Sequence, residues 1–319
     1  MDDTTDYTFL GRYRRLSTLG SGGFALVFLA YDTKMQRKVA IKCMPIKSDS
    51  ALLGATGRIS GVPDASILLD RIPANRLQKY PGISEARCAA MLRHANIATV
   101  YDFDIYNNEA LIISEHVDGL NLEQLIDILY DNQTHLDIDA ITYIFKCVSD
   151  AIIFAHENQV LHLDIKPANI LIDVYGEVKV VDFGLATYSS ANGYSSAIGG
   201  TVGYMPPEQI QQQNPDERCD EWALASVLYE LLTLYNPFLA QDLKRALKAI
   251  DGAVIDMPSS VRHDVCAEID SVLMYALQPN REDRYDTVLD FSEEALAFLG
   301  DANAGKAVLA EKIRDCVSE

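Results

Sequence analysis

Positive charge is scarce in this chain: 27 Lys and Arg stand against 46 Asp and Glu in 319 residues, a formal charge of −19. So acidic a surface repels nucleic acid and anionic membrane, and neither is an expected partner. Basic partners would be attracted, but solubility alone accounts for such a balance. Cysteine is also sparse. The six (Cys43, Cys88, Cys147, Cys219, Cys266, Cys316) are far apart, with no CxxC or Cys/His cluster at metal-ligand spacing. Reduced thiols in a cytoplasmic protein, several filling a core, are the expectation. Long apolar runs are missing: none approaches the ~18 residues of a membrane span. The start, MDDTTDYTF, has no apolar h-region, so no signal peptide is expected there. No fixed-period repeat or low-complexity tract stands out.

What is present is enough apolar material for a sizeable core, at 49% of residues. The first 117 residues carry strand-like runs broken by Gly or charged turns: RYRRLSTLG, FALVFLAYD and KVAIKCM, then IATVYDFDI and EALIISEHV joined at Tyr106-Asn107-Asn108. Glu85 to Arg93 reads as a helix. After residue 117 the chain turns helical. Ile144, Phe145, Val148, Ile152 and Ala155 recur at helical spacing, as do Leu224, Val227, Leu228 and Leu231. Further helices are expected in 240–250, 265–277 and 287–299. A strand-rich part followed by a helical part suggests an α+β chain of two lobes with a cleft. Residues 47–80, rich in Gly and Pro, read as a long surface loop.

Four stretches carry chemistry. In LGSGGFALVFLAYD, Gly20, Gly22 and Gly23 let backbone N–H groups approach a phosphate. No helix follows them, which excludes a dinucleotide fingerprint, and no Gly-Lys-Ser/Thr follows, which excludes a Walker A loop. A hairpin turn would also use such glycines. Lys42, in VAIK, alternates onto an inner strand face, which is costly unless the ammonium is paired. A nucleotide phosphate and a carboxylate such as Glu85 would pair it. In HLDIKPANIL, Asp164 can accept a proton from an attacking hydroxyl, Lys166 can hold a transferred phosphoryl group, and Asn169 can bind a metal ion. Thirteen residues later, Asp182 of VVDFG stands at the end of an apolar strand, suited to Mg²⁺. Singly, each of these could merely cap a turn.

Together and in this order, GSGGFALV, VAIK, a helix Glu, HLDIKPAN, DFG and PPE resemble the eukaryotic-type protein kinases, in the Ser/Thr branch often found in bacteria. The resemblance runs from about Tyr13 to Leu299. It implies a two-lobed kinase-like fold, with a small β-rich N-lobe over about 13–117 holding an insertion at about 47–80. A larger helical C-lobe would span about 118–299, flanked by an extension at 1–12 and a helical tail at 300–319. It implies ATP and Mg²⁺ as cofactors and a protein with Ser/Thr acceptors as substrate, in cytoplasmic signalling. By motif, Asp164 would be the catalytic base, Lys166 its Ser/Thr-kinase companion, and Lys42 the α/β-phosphate ligand paired with Glu85. Asn169 and Asp182 would ligate the metal. Leu19, Gly20, Ser21, Gly22, Gly23 and Phe24 would cover the nucleotide. Val27, Ala40 and Leu171 would sandwich the adenine, and Glu115 and Val117 would offer hinge backbone. Thr201 would contact Asp164, Glu208 would pair with Arg284, and Asp220 would anchor the catalytic loop. The gatekeeper position falls on Ser114.

Four departures qualify the resemblance. Ala25 replaces a third glycine, and Pro206 replaces the Ala of APE. The Lys42-to-Glu85 interval is lengthened by the 47–80 segment. Leu163 stands where most members carry an Arg that receives an activating phosphate, and residues 182–208 contain no Lys or Arg. The chain therefore resembles the non-RD kinases, which need no phosphate there. The alternative from another class is a pseudokinase, a nucleotide-binding or scaffolding module. The tail places Leu309, Ile313, Cys316 and Val317 on one helical face, expected to dock on its own lobe, although the tail or the insertion could instead hold a partner.

Overall fold

Alternation of apolar and polar side chains organises the first part of the chain into strands. A computed structural model describes residues 8–21, 25–45, 91–107, 109–183, 202–239, 243–252 and 255–318. The 47–80 segment, Glu85, Gly22 to Phe24, and Thr201 lie outside these residues. The chain divides into two compact units, Met1–Arg93 with Ala98–His116, and His94–Ile97 with Val117–Glu319.

In the first unit, β1 (Thr8–Phe9), β2 (Tyr13–Ser21), β3 (Leu26–Asp32), β4 (Arg37–Pro45), β5 (Val100–Tyr106) and β6 (Glu109–Glu115) form one antiparallel sheet. Its order is β1-β2-β3-β4-β6-β5. Strand period two divides the side chains between its faces. Phe28 and Ala30 of β3 join Val39, Ile41 and Cys43 of β4, with Phe9, Tyr13, Leu111 and Ile113, in one core. Asp32, buried at the end of this row, is satisfied by Arg12 in a fork of 2.8 and 2.6 Å and by the N–H groups of Lys34 and Met35. The intervening residues Val27, Ala40 and Lys42 take the opposite face. Register shifts in β2 between Thr18 and Gly20 bend the strand as it enters the glycine loop. The β5–β6 hairpin turns at Asn107, whose φ of 50° an Asn tolerates.

The second unit is built on helices. They are α1 (Leu122–Asp131), α2 (Ile138–Glu157), α3 (Pro207–Ile210), α4 (Glu217–Thr233), α5 (Leu243–Gly252), α6 (Pro258–Val261), α7 (Glu268–Ala276), α8 (Val288–Phe298) and α9 (Ala302–Ser318). Asn121, Asp137, Asp216 and Thr287 cap α1, α2, α4 and α8 by accepting backbone N–H bonds. Ile144, Phe145, Val148, Ile152 and Ala155 of α2 are buried as their spacing predicts. Helix α4 departs from a one-sided stripe, because every residue from Cys219 to Tyr229 is buried. A small sheet, β7 (Gly119–Asn121), β8 (Ile170–Asp173) and β9 (Val178–Val180), lies in the same unit. Helix α9 packs along α2 in this unit with Leu309, Ala310 and Ile313 buried. Among the described residues, no helix is long and apolar enough to cross a membrane.

Candidate active site

The stretch from His162 to Asn169 connects α2 to β8, and its polar side chains hold its own backbone. Buried Asp220, from α4, accepts the N–H of His162 at 2.8 Å and of Leu163 at 2.7 Å. His156 of α2 adds a ring contact at 2.8 Å to the same carboxylate. Burial opposes ionisation of Asp220, but His156 and the backbone donors outweigh it and hold the carboxyl below the usual range. The His162 Nε2 meets the carbonyl of Val181 at 3.0 Å, and its Nδ1 accepts the N–H of Asp164 at 3.2 Å. That pair of contacts assigns the Nε2–H tautomer. The His162 ring also meets Phe183 edge-on at 4.6 Å. One histidine thus ties the Asp164 loop to the Asp182-Phe183 strand end.

Asp164 is half-buried, and two side chains brace it. The Lys166 Nζ lies 2.8 Å from Oδ2 and 3.0 Å from Oδ1. The Asn169 Nδ2 donates to the Asp164 carbonyl at 2.8 Å and to Oδ2 at 3.0 Å. A turn over Pro167–Asn169 brings Asn169 back towards Asp164. Since its amide nitrogen is spent on Asp164, Asn169 retains Oδ1 as a hard oxygen donor. Asp182, after β9, adopts φ 65°, and Leu163 adopts φ 59°. Asp tolerates left-handed backbone better than Leu, for which it persists where surroundings enforce it. Asp164, Lys166 and Asn169 are therefore directly linked, and Asp182 is joined to them through β9 and His162.

Nearby in the same unit, Glu208 of α3 forms a fork with Arg284 at 2.8 and 3.0 Å, both side chains being buried. Arg284 also donates to the carbonyls of Gln278, Pro279 and Arg218, and stacks over Trp222. The pairing expected from sequence is present, with enough acceptors to satisfy the buried guanidinium. Leu171 and Val117 also belong to this unit, Leu171 lying in β8 opposite Asn121 and Lys179.

In the first unit, register supplies the geometry. Val27 faces Lys42 across β3–β4, Lys42 faces Ile112 across β4–β6, and Ala40 faces Ser114. Directly opposed residues share a face, so Val27, Ala40, Lys42 and Ser114 lie together, away from the Phe28–Ile41 core. Gly20 pairs with Val27 at the same end of the sheet. The N–H of Glu115 bonds the carbonyl of Thr99 at 2.8 Å, and its carboxylate accepts the N–H of Thr99 at 3.1 Å. Leu19 is exposed in β2. Glu85, Gly22, Gly23 and Phe24 fall outside the described residues, as does the side chain of Ser21.

Two participants escaped sequence reasoning. His156 gave only a helical position. Gln209, next to the expected Glu208, donates from Nε2 to the carbonyl of Leu163 at 2.8 Å.

A β-sheet unit, a helical unit and an Asp-Lys-Asn loop anchored on a buried Asp define a kinase-like fold. The chain belongs to the protein kinase family: a family model described as protein kinase domain matches residues 72–299. Among curated proteins it is 32% identical to serine/threonine-protein kinase PrkC of Bacillus subtilis over 289 residues, 89% of this chain and 40% of that protein. It is 34% identical to serine/threonine-protein kinase PknB of Mycobacterium tuberculosis over 297 residues, 90% of this chain and 43% of that protein. The chain thus spans less than half the length of these relatives. Its fold is similar to the PknI kinase domain of M. tuberculosis, with a TM-score of 0.64 at 22% identity, covering 92% of this chain and 98% of that one.

Proposed function

We propose that the chain is a serine/threonine protein kinase that transfers the γ-phosphoryl group of ATP to protein hydroxyls. The observation that carries this reading is the bracing of Asp164 by Lys166 and Asn169. Phosphoryl transfer depends on positioning and charge rather than covalent chemistry by the protein, and this loop is fixed at nearly every polar group. Asp164 accepts the proton of the acceptor hydroxyl. Lys166, held against that carboxylate, neutralises charge on the transferred group. Lys42 binds the α- and β-phosphates with Glu85 as its partner. Val27, Ala40 and Leu171 contact the base, residues 19–24 cover the phosphates, and Glu115 and Val117 supply backbone contacts.

The donors fit a magnesium ion. Mg²⁺ takes one or two carboxylates together with substrate phosphates, and the Asn169 Oδ1 and Asp182 carboxylate supply hard oxygens in that number. When bound, the ion offsets phosphate charge; proton acceptance remains with Asp164. Leu163 and the lack of basic residues in 182–208 support activity that does not wait for a phosphate on that segment. Cys43, Cys147, Cys219 and Cys266 are free thiols, which suits a cytoplasmic setting.

The test compares wild type with Lys42→Ala for ATP binding by calorimetry and for phosphate transfer to casein. Wild type is expected to bind Mg-ATP and transfer phosphate, and the variant to lose transfer by a factor on the order of 10² or more. Full transfer by a folded Lys42→Ala, or no ATP binding by wild type, overturns the reading.

A further inference from the structure

Leu163 immediately precedes the base, and its backbone is left-handed at φ 59°. Left-handed backbone is uncommon for a Leu and persists where surrounding contacts over-determine it. Its N–H is fixed by Asp220 at 2.7 Å. Its carbonyl accepts the side-chain N–H of Gln209 at 2.8 Å. Gln209 is buried at 4% exposure, which limits the competition of water for the contact. The helix that carries Gln209 is itself immobilised, because Glu208 is locked in the fork with Arg284. A rigid connection therefore runs from Arg284 through Glu208 and Gln209 to Leu163 and the loop of Asp164.

We propose that Gln209 is a positioning residue for Asp164: its side-chain amide latches the end of the 182–208 segment to the backbone beside the base. The proposal rests on the reading of Asp164 as the proton acceptor. It goes further by supplying a neutral tie between segment and catalytic loop at the residue where Leu163 offers no cation for a phosphate. A hydrogen bond to a carbonyl needs no added charge, so the latch is complete in the chain as synthesised.

The latch and a packing role differ in what Met at this position does. Met matches Gln in length and volume but cannot donate. Gln209→Met should keep the ATP KM of wild type, lower the unfolding midpoint by no more than the loss of one hydrogen bond explains, and lower kcat by about tenfold as the acceptor beside the base loses its donor. Hydrogen exchange, read independently of activity, should become faster in a peptide spanning residues 161–166 of Gln209→Met. It should remain wild-type in Gln211→Met, whose side chain is exposed on the same short helix end. Exchange and kcat both unchanged in Gln209→Met overturn the latch and leave the kinase reading intact. Faster exchange in the variant, with no phosphate transfer even by wild type, sustains the latch as structure but removes its catalytic meaning. A lowered unfolding midpoint with unchanged exchange at 161–166 assigns Gln209 to packing and overturns the proposal.

Discussion

At the residue scale, Leu163 and Glu221 carry the most specific consequences. Phosphorylation orders a loop when Arg or Lys receives the phosphate. Leu163 cannot, and its N–H and carbonyl are already engaged by Asp220 and Gln209. Phosphatase-treated protein should therefore phosphorylate substrate at its full initial rate. The same should hold when Thr187, Ser189, Ser190, Ser195 and Ser196 are all changed to Ala. A lag that ends only as these hydroxyls gain phosphate would contradict this. Glu221 is buried in α4, and burial pushes its carboxyl up to about 9, against the opposing pull of Arg284. The folded chain then keeps a proton that the unfolded chain, with an ordinary Glu near about 4.3, has released. Between about pH 5 and 9 the unfolded state binds fewer protons, so this residue lowers stability as pH rises. Glu221→Gln should be more stable than wild type in urea unfolding, by a margin that widens over that range. A margin independent of pH would refute the assignment. Neither Gln209 nor His156 was legible in the sequence, because each acts on a backbone or carboxylate that only the folded loop presents. Asp220, Glu208 and Arg284 were legible because their motifs have fixed places relative to HLD and DFG.

At the element scale, local pattern did well where one face of an element is buried and poorly where all faces are. Strands β3 and β4 alternate, so the period of two alone puts Ala40 and Lys42 on a common face. In α4 the stripe of Leu224, Val227, Leu228 and Leu231 is real, but Asp220, Glu221 and Ser226 are buried as well. Helical period cannot reveal a helix enclosed on every side. The tail shows the opposite error. Leu309 and Ile313 are buried, but Cys316 is half-buried and Val317 is 50% exposed, so only the first part of the expected face docks. Other contacts hold α9. Asp139 accepts the N–H of Asp301 at 2.7 Å, Lys306 pairs with Glu177, and Arg314 donates to the carbonyl of Val174 at 3.0 Å. Gly305 allows the approach to α2, since a Cβ there would lie 2.0 Å from the Asp139 carbonyl oxygen. Gly305→Ala should lower unfolding stability by about 1–3 kcal/mol, as overpacking does. An unchanged denaturant midpoint would mean that α9 contributes little to the unit.

At the scale of the whole molecule, sequence and fold agree on a member of the protein kinase family, with net charge −19. The motif order made the fold class legible, since each motif needs its neighbours to build a site. What lay beyond reach was the set of backbone contacts made to the loop by Asp220 and Gln209. The chain covers 40% of PrkC and 43% of PknB, so the proposal concerns the transfer chemistry rather than the choice of substrate. In the proposed reading, that chemistry rests on Asp164. The decisive measurement is the initial rate of γ-phosphoryl transfer from Mg-ATP to a protein acceptor by wild type and Asp164→Asn, with the product mapped by mass spectrometry. The account predicts phosphate on Ser and Thr for wild type, and a rate lower by a factor on the order of 10² or more for the variant. Equal rates for the two proteins, or no phosphorylated Ser or Thr from wild type, would contradict it.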